Sequence, residues 1–103
     1  MKINVLLLTC AEDKEASKIT NSLLEKRLIS CAKKLPISST FLWKGKIEKS
    51  KEVLLIMDSI EENFAKIQAE VKKLHSYETF VLTSIPINQT TQSVKDWMKS
   101  ELK

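Results

Sequence analysis

The chain has 103 residues, 43% of them hydrophobic and 29% charged, with a formal net charge of +4. That is enough apolar material for a single folded domain over residues 1–103 and too much for a disordered chain. Acidic residues interleave with the lysines, Arg27 is the one arginine, and no apolar run approaches the roughly 20 residues of a membrane helix, so neither nucleic acid nor a membrane is an expected partner.

Ile3 to Cys10 is a nearly continuous aliphatic run, the pattern of a central strand buried on both faces. It passes into charge with no small-residue cleavage site, so it reads as a strand rather than a signal peptide, and the expected location is cytoplasmic. Cys10 and Cys31 have no CxxC partner and are expected as reduced thiols. Glu12, Asp13 and Glu15 place negative charge where a helix should start. Ala16, Ile19, Leu23, Leu24 and Leu28 then form an amphipathic stripe ending near Ile29.

From Leu35 the apolar residues alternate: Leu35, Ile37, Phe41, Trp43 and Ile47 on one parity, Ser38, Thr40, Lys44 and Lys46 on the other. Taken as one strand to Glu48, this ribbon would span roughly 45 Å, more than a domain of this size is wide. It must bend or overhang, with Pro36 and Gly45 as places for a kink or bulge. Overhanging backbone and apolar side chains need a cover, and a second copy of the chain is the simplest one. The polar break Glu48–Lys51 reads as a turn leading into a further strand, Glu52 to Met57.

Asp58-Ser59 then precedes a second helix with Glu61 and Glu62 in its first turn and Ile60, Phe64, Ile67, Val71 and Leu74 on its buried stripe. Thr79 to Ile85 reads as a last strand, and Ser93 to Leu102 as a short terminal helix anchored by Trp97. The order β-α-β-β-α-β predicts an α+β, ferredoxin-like sandwich with a long bent second strand and a short C-terminal helix, two helices covering one face of a four-stranded antiparallel sheet. Its other face is left open and asks for a partner surface.

The single glycine rules out a glycine-rich phosphate loop. His75, the only histidine, sits in His75-Ser76-Tyr77-Glu78 at the junction of the second helix and last strand. It is either a cap on that helix beside a packed Tyr77, or a ligand in a metal or small-molecule site. A metal site needs further ligands, for which Glu78 and the cysteines, Cys31 among them, are the candidates. Trp43-Lys44-Gly45-Lys46 sets an aromatic ring beside two cations, which suits either a subunit interface or an RNA-stacking platform. The strand Val53 to Met57 carries neither aromatic nor glycine, which argues against an RNA-recognition module of the same topology. A lone histidine without an identifiable nucleophile gives no catalytic triad, and no enzyme is expected.

Several of these segments together resemble one family. Leu24-Glu25-Lys26-Arg27-Leu28 leading into Cys31-Ala32, Pro36, Trp43-Lys44-Gly45-Lys46-Ile47-Glu48, Glu52-Val53 and His75-Ser76-Tyr77-Glu78 are similar, in order and spacing, to the CutA family of divalent-cation tolerance proteins. The resemblance implies a tight homotrimer whose long second strand reaches the neighbouring sheet, an involvement with divalent metal ions such as copper, and an architecture like the PII-type signalling trimers. It leaves open a further, unidentified protein partner. It also points to intersubunit clefts near Trp43, Lys46, Glu48, Tyr77 and Glu78, with His75 as the foremost metal contact. The chain departs from the family's His-Pro-Tyr-Glu-x-Pro-Glu pattern at Ser76, Phe80 and Val81, the last removing a glutamate oxygen near His75.

Overall fold

In the computed structural model, which describes residues 1–103, four strands and three helices follow in the order β1 (Ile3–Cys10), α1 (Asp13–Glu25), β2 (Cys31–Trp43), β3 (Lys46–Ile60), α2 (Phe64–Leu74), β4 (Leu82–Pro86) and α3 (Gln92–Glu101). The sheet order is β2-β3-β1-β4 with every neighbouring pair antiparallel. This is the ferredoxin-like arrangement expected from the order of elements. Strand periodicity sends Leu6, Leu8 and Cys10 of β1 and Val53, Leu55 and Met57 of β3 to one face, where they are buried against Ala16, Ile19 and Leu23 of α1 and Ile67 and Val71 of α2. No helix is long and apolar enough to cross a membrane.

The ribbon that the alternation carried on to Glu48 reverses earlier. Lys44 and Gly45 have φ of 51° and 78° and form a two-residue hairpin turn between Trp43 and Lys46. Both central residues are left-handed, as in the turn that matches strand twist, so the reversal uses Lys-Gly where Asn-Gly is commoner. Glu48–Lys51 is therefore strand, not turn, and Pro36 sits in edge strand β2 opposite Val53 without breaking the register. The overhang is real nonetheless. Cys10 of β1 pairs with Val53, so the seven residue pairs from Ile37–Glu52 to Trp43–Lys46 project beyond β1. That is roughly 23 Å of hairpin, on a molecule 45 × 25 × 22 Å.

A Cβ at Gly45 would meet nothing within 4 Å, so replacing it carries only a conformational cost. Gly45→Ala is expected to destabilise the fold by about 1 kcal/mol in urea denaturation, and Lys44→Asn to recover part of it. Equal stability of Gly45→Ala and wild type would contradict the turn assignment.

Other element ends also move. Helix α1 stops at Glu25, not near Ile29, because Arg27 turns left-handed (φ 59°) while Arg27 N–H and Leu28 N–H bond back to Leu24 and Leu23. Leu28 and Ile29 are buried outside the helix, and Leu24 is exposed. Strand β3 continues through Asp58 and Ser59 to Ile60, and a single tight turn, Glu61–Asn63, precedes α2. Ser59 and Asn63 are buried there, both donating to the Leu28 carbonyl. The last strand starts at Leu82, since 79–81 lie in the loop before it. In α3 it is Met98 that is buried, while Trp97 stays 42% exposed.

Glu70 of α2 accepts from Lys26 Nζ at 2.7 Å and Ser22 Oγ at 2.6 Å, tying α2 to the end of α1. These bonds hold its carboxyl below the ordinary range. A carboxyl lowered on folding stabilises above its unfolded pKa, about 4.3, and loses that contribution as pH falls through the lower folded value. Glu70→Gln should therefore flatten the acid limb of stability measured below about pH 4.3. An unchanged limb would remove Glu70 from the account.

Candidate functional site

Antiparallel pairing of β1 with β4 brings the end of β1 next to the loop entering β4, so the β1–α1 and α2–β4 junctions meet at one edge. There His75, directly after α2, has a fully buried side chain. Its Nε2 donates to the Thr9 carbonyl at 2.8 Å, and its Nδ1 accepts from Tyr77 N–H at 3.0 Å, which sets the tautomer with the proton on Nε2. Phe80 stacks on the ring at 5.2 Å between centroids, and Tyr77 tilts against it at 4.9 Å. Glu15 in the first turn of α1 accepts from Ala11 N–H at 2.8 Å and Ser76 N–H at 2.6 Å, and lies 3.8 Å from His75 Nδ1. Burial opposes its charge, but the hydrogen bonds from Ser76 and Ala11 hold its carboxyl below the usual range.

Cys10, the last residue of β1, completes a group in which one ligand atom each of Cys10, Glu15 and His75 lie within 4.8 Å of one another. Burial, with the carboxylates of Glu15 and Glu52 nearby, pushes the Cys10 thiol up to about 12, so it stays protonated. Sulfur, nitrogen and oxygen from three such residues are a donor set suited to zinc or copper rather than calcium or magnesium.

In front of this cluster lies a cleft of about 790 Å³ between the projecting hairpin and the 76–81 loop. Phe41, Trp43, Glu48 and Glu52 line it from the hairpin, and Tyr77 and Glu78 from the loop. Tyr77 joins the two features: its N–H is on His75, and its hydroxyl donates to Glu52 at 2.6 Å. Burial and the Glu52 carboxylate push the tyrosine hydroxyl up to about 12.

Of the residues singled out from sequence, Trp43, Glu48, Tyr77 and Glu78 come together in the cleft. Lys46 pairs with Trp43 at the hairpin tip and does not line it. His75 is in the buried cluster, where the cysteine beside it is Cys10 and the carboxylate is Glu15, not Glu78. Cys31 is elsewhere: it pairs with Asp58, whereas Cys10 lies in register with Val53 and Pro36, five residues or roughly 17 Å along β2. Both thiols are free. Glu15 and Glu52 escaped the sequence reading, because the first looks like an ordinary helix-start charge and the second like a strand-end polar residue. The order of elements was the available signal, since it sets the turn holding Glu15 beside the loop holding His75.

Comparison with known proteins agrees with this architecture. The sequence profile described as CutA1 divalent ion tolerance protein matches residues 4–101. The chain is 39% identical over 95 residues to a divalent-cation tolerance protein CutA of Archaeoglobus fulgidus, covering 92% of this chain and 93% of that one. A second CutA, from Thermotoga maritima, is 32% identical over 94 residues, with 91% and 93% covered. The solved structure of a periplasmic divalent cation tolerance protein CutA from Archaeoglobus fulgidus superposes with a TM-score of 0.96 at 37% identity, over 98% of this chain and 99% of that one. One from Thermus thermophilus gives 0.95 at 27% identity, over 98% and 99%. With its profile match spanning nearly the whole chain and its fold shared with these structures, the chain belongs to the CutA1 divalent ion tolerance family.

Proposed function

We propose that this chain serves divalent-cation tolerance as a homotrimeric, non-enzymatic binding protein, taking a copper- or zinc-class ion at Cys10, Glu15 and His75. The observation that carries the metal reading is the convergence of three different donor types within 4.8 Å. Bound there, the ion would replace the thiol proton of Cys10 and take the place of Tyr77 N–H at His75. The names of the relatives, divalent-cation tolerance proteins rather than enzymes, support the same role. The cleft in front, lined by Trp43, Glu48, Tyr77 and Glu78, is the place for a small effector, its volume being within the range of small-molecule sites.

Titration with copper(II) and zinc(II), followed by calorimetry, is expected to show one site per chain in wild type and about a tenfold or greater loss of affinity in Cys10→Ser and His75→Ala. Circular dichroism separates a lost ligand from a lost fold. Binding of equal strength by well-folded variants would exclude these residues as ligands.

A further inference from the structure

Tyr77 is held at both ends. Its N–H donates to His75 Nδ1 at 3.0 Å, and its hydroxyl donates to Glu52 Oε2 at 2.6 Å. The first bond lies in the Cys10, Glu15 and His75 cluster, the second at the root of the projecting hairpin. Glu52 pairs with Ile37, one position beyond the Val53 that faces Cys10, the last residue of β1. No other side-chain hydrogen bond joins the 75–81 loop to the hairpin.

An ion shared with Cys10 and Glu15 needs Nδ1 of the histidine. That nitrogen lies 3.8 Å from Glu15 Oε2, whereas Nε2 is occupied by the Thr9 carbonyl at 2.8 Å. An imidazole nitrogen has a single lone pair in the ring plane, so Tyr77 N–H and an ion compete for one direction. A metal–nitrogen bond of about 2.0–2.1 Å falls inside the 3.0 Å at which the Tyr77 nitrogen stands. The histidine ring has no room to turn aside, being fully buried, bonded to Thr9 and stacked on Phe80. Ser76 is pinned as well, since its N–H is held at 2.6 Å by Glu15 Oε1, the oxygen not facing His75. The displacement therefore falls on Tyr77, in a loop that belongs to neither α2 nor β4. A hydroxyl–carboxylate bond of this length is lost once its atoms part by about 1 Å.

We infer that Tyr77 is a positioning residue for the metal site and a latch on the hairpin: ion binding at Cys10, Glu15 and His75 lifts Tyr77 off His75 and opens its bond to Glu52. This rests on the metal reading of the cluster, and it names how occupancy of that site is passed on to the ribbon that projects from the subunit. The coupling is reciprocal, because an ion that must open the latch binds more weakly than one that need not. Removing the hydroxyl alone, in Tyr77→Phe, therefore strengthens metal binding, the opposite of what a lost ligand or lost packing does.

Tyr77 is the only tyrosine in the chain, so tyrosine labelled with carbon-13 at Cζ, which bears the hydroxyl, gives one resonance. Zinc(II) titration of the wild-type protein, followed by this resonance and by calorimetry, should move it at one equivalent per chain toward its position in metal-free Glu52→Ala. Tyr77→Phe should bind zinc(II) about tenfold tighter than wild type, the worth of one hydrogen bond to a charged group. Zinc that binds with the resonance unmoved would overturn the latch and leave the metal site standing. Equal or weaker binding by a Tyr77→Phe chain with the circular dichroism of wild type would do the same. Absence of binding by either protein would remove the site and the latch together. The resonance is read on the wild-type protein, so it decides even where Tyr77→Phe does not fold.

Discussion

Replacing Glu15 with alanine is expected to lower the stability of the chain by about 2–3 kcal/mol and its thermal midpoint by about 10 °C, far more than a typical surface substitution. The glutamate is the one side chain that binds both junctions at the sheet edge, accepting from Ala11 N–H before α1 and from Ser76 N–H after α2. Its side chain is 9% exposed, so the two N–H groups are partnered by protein rather than by bulk water. Alanine leaves both without that acceptor, each at about 1–3 kcal/mol if water cannot follow. Glu15→Gln keeps an acceptor oxygen and should fall between alanine and wild type. The consequence passes to the site, because Ser76 is held between His75, which caps Thr9, and Tyr77, which caps Glu52. Thermal melts of the three proteins check the claim, and a midpoint for Glu15→Ala within about 2 °C of wild type would mean that water satisfies the junction instead.

Ile47→Glu is expected to change the mass in solution from three chains to one of 11.8 kDa, by light scattering at matched concentration. Ile47 and its cross-strand partner Leu42 are 71% and 76% exposed, on a hairpin that leaves the rest of the sheet behind. Trp43 and Phe41, on the other parity, are 50% and 41% exposed. Apolar side chains on both faces of a projecting ribbon are not what a solitary subunit displays. Burying each in an interface is worth about 1.5–3 kcal/mol, and a buried, unpaired glutamate turns that gain into a penalty. The isolated subunit has little to lose, since so exposed a residue contributes little to its own core. A wild-type chain that weighs in as a monomer would remove the trimer altogether, and a variant that stays trimeric would place the interface away from Ile47.

Local order was legible from periodicity and chain-end chemistry. The stripe Ala16, Ile19 and Leu23 identified the helix side of the core, because a side-chain repeat of 3.6 records which face meets apolar neighbours. The continuous aliphatic run of β1 read as buried on both faces, whereas only its even positions are buried and the odd ones lie on the partly open face of the sheet. Errors clustered at element ends, where one residue's backbone decides. Arg27 and Lys44 adopt left-handed conformations that their side chains do not announce, ending α1 early and turning the ribbon at Gly45 rather than at Glu48.

The site divided in the same way. Trp43, Glu48 and Tyr77 were singled out through the resemblance to the family, since by themselves they read as an interface tryptophan, a turn residue and a packed tyrosine. Sequence also established the family, the order of elements and the presence of one histidine at a junction. What it could not state is which cysteine and which carboxylate meet that histidine. Cys10 and Cys31 look alike in the chain, yet one ends a central strand beside the α2–β4 loop and the other starts an edge strand five register positions away. That choice belongs to strand register and helix placement, which are settled by pairing between segments far apart in sequence. Only when the sheet is assembled do Glu15, Glu52 and Tyr77 come within reach of one another and give the lone histidine its surroundings.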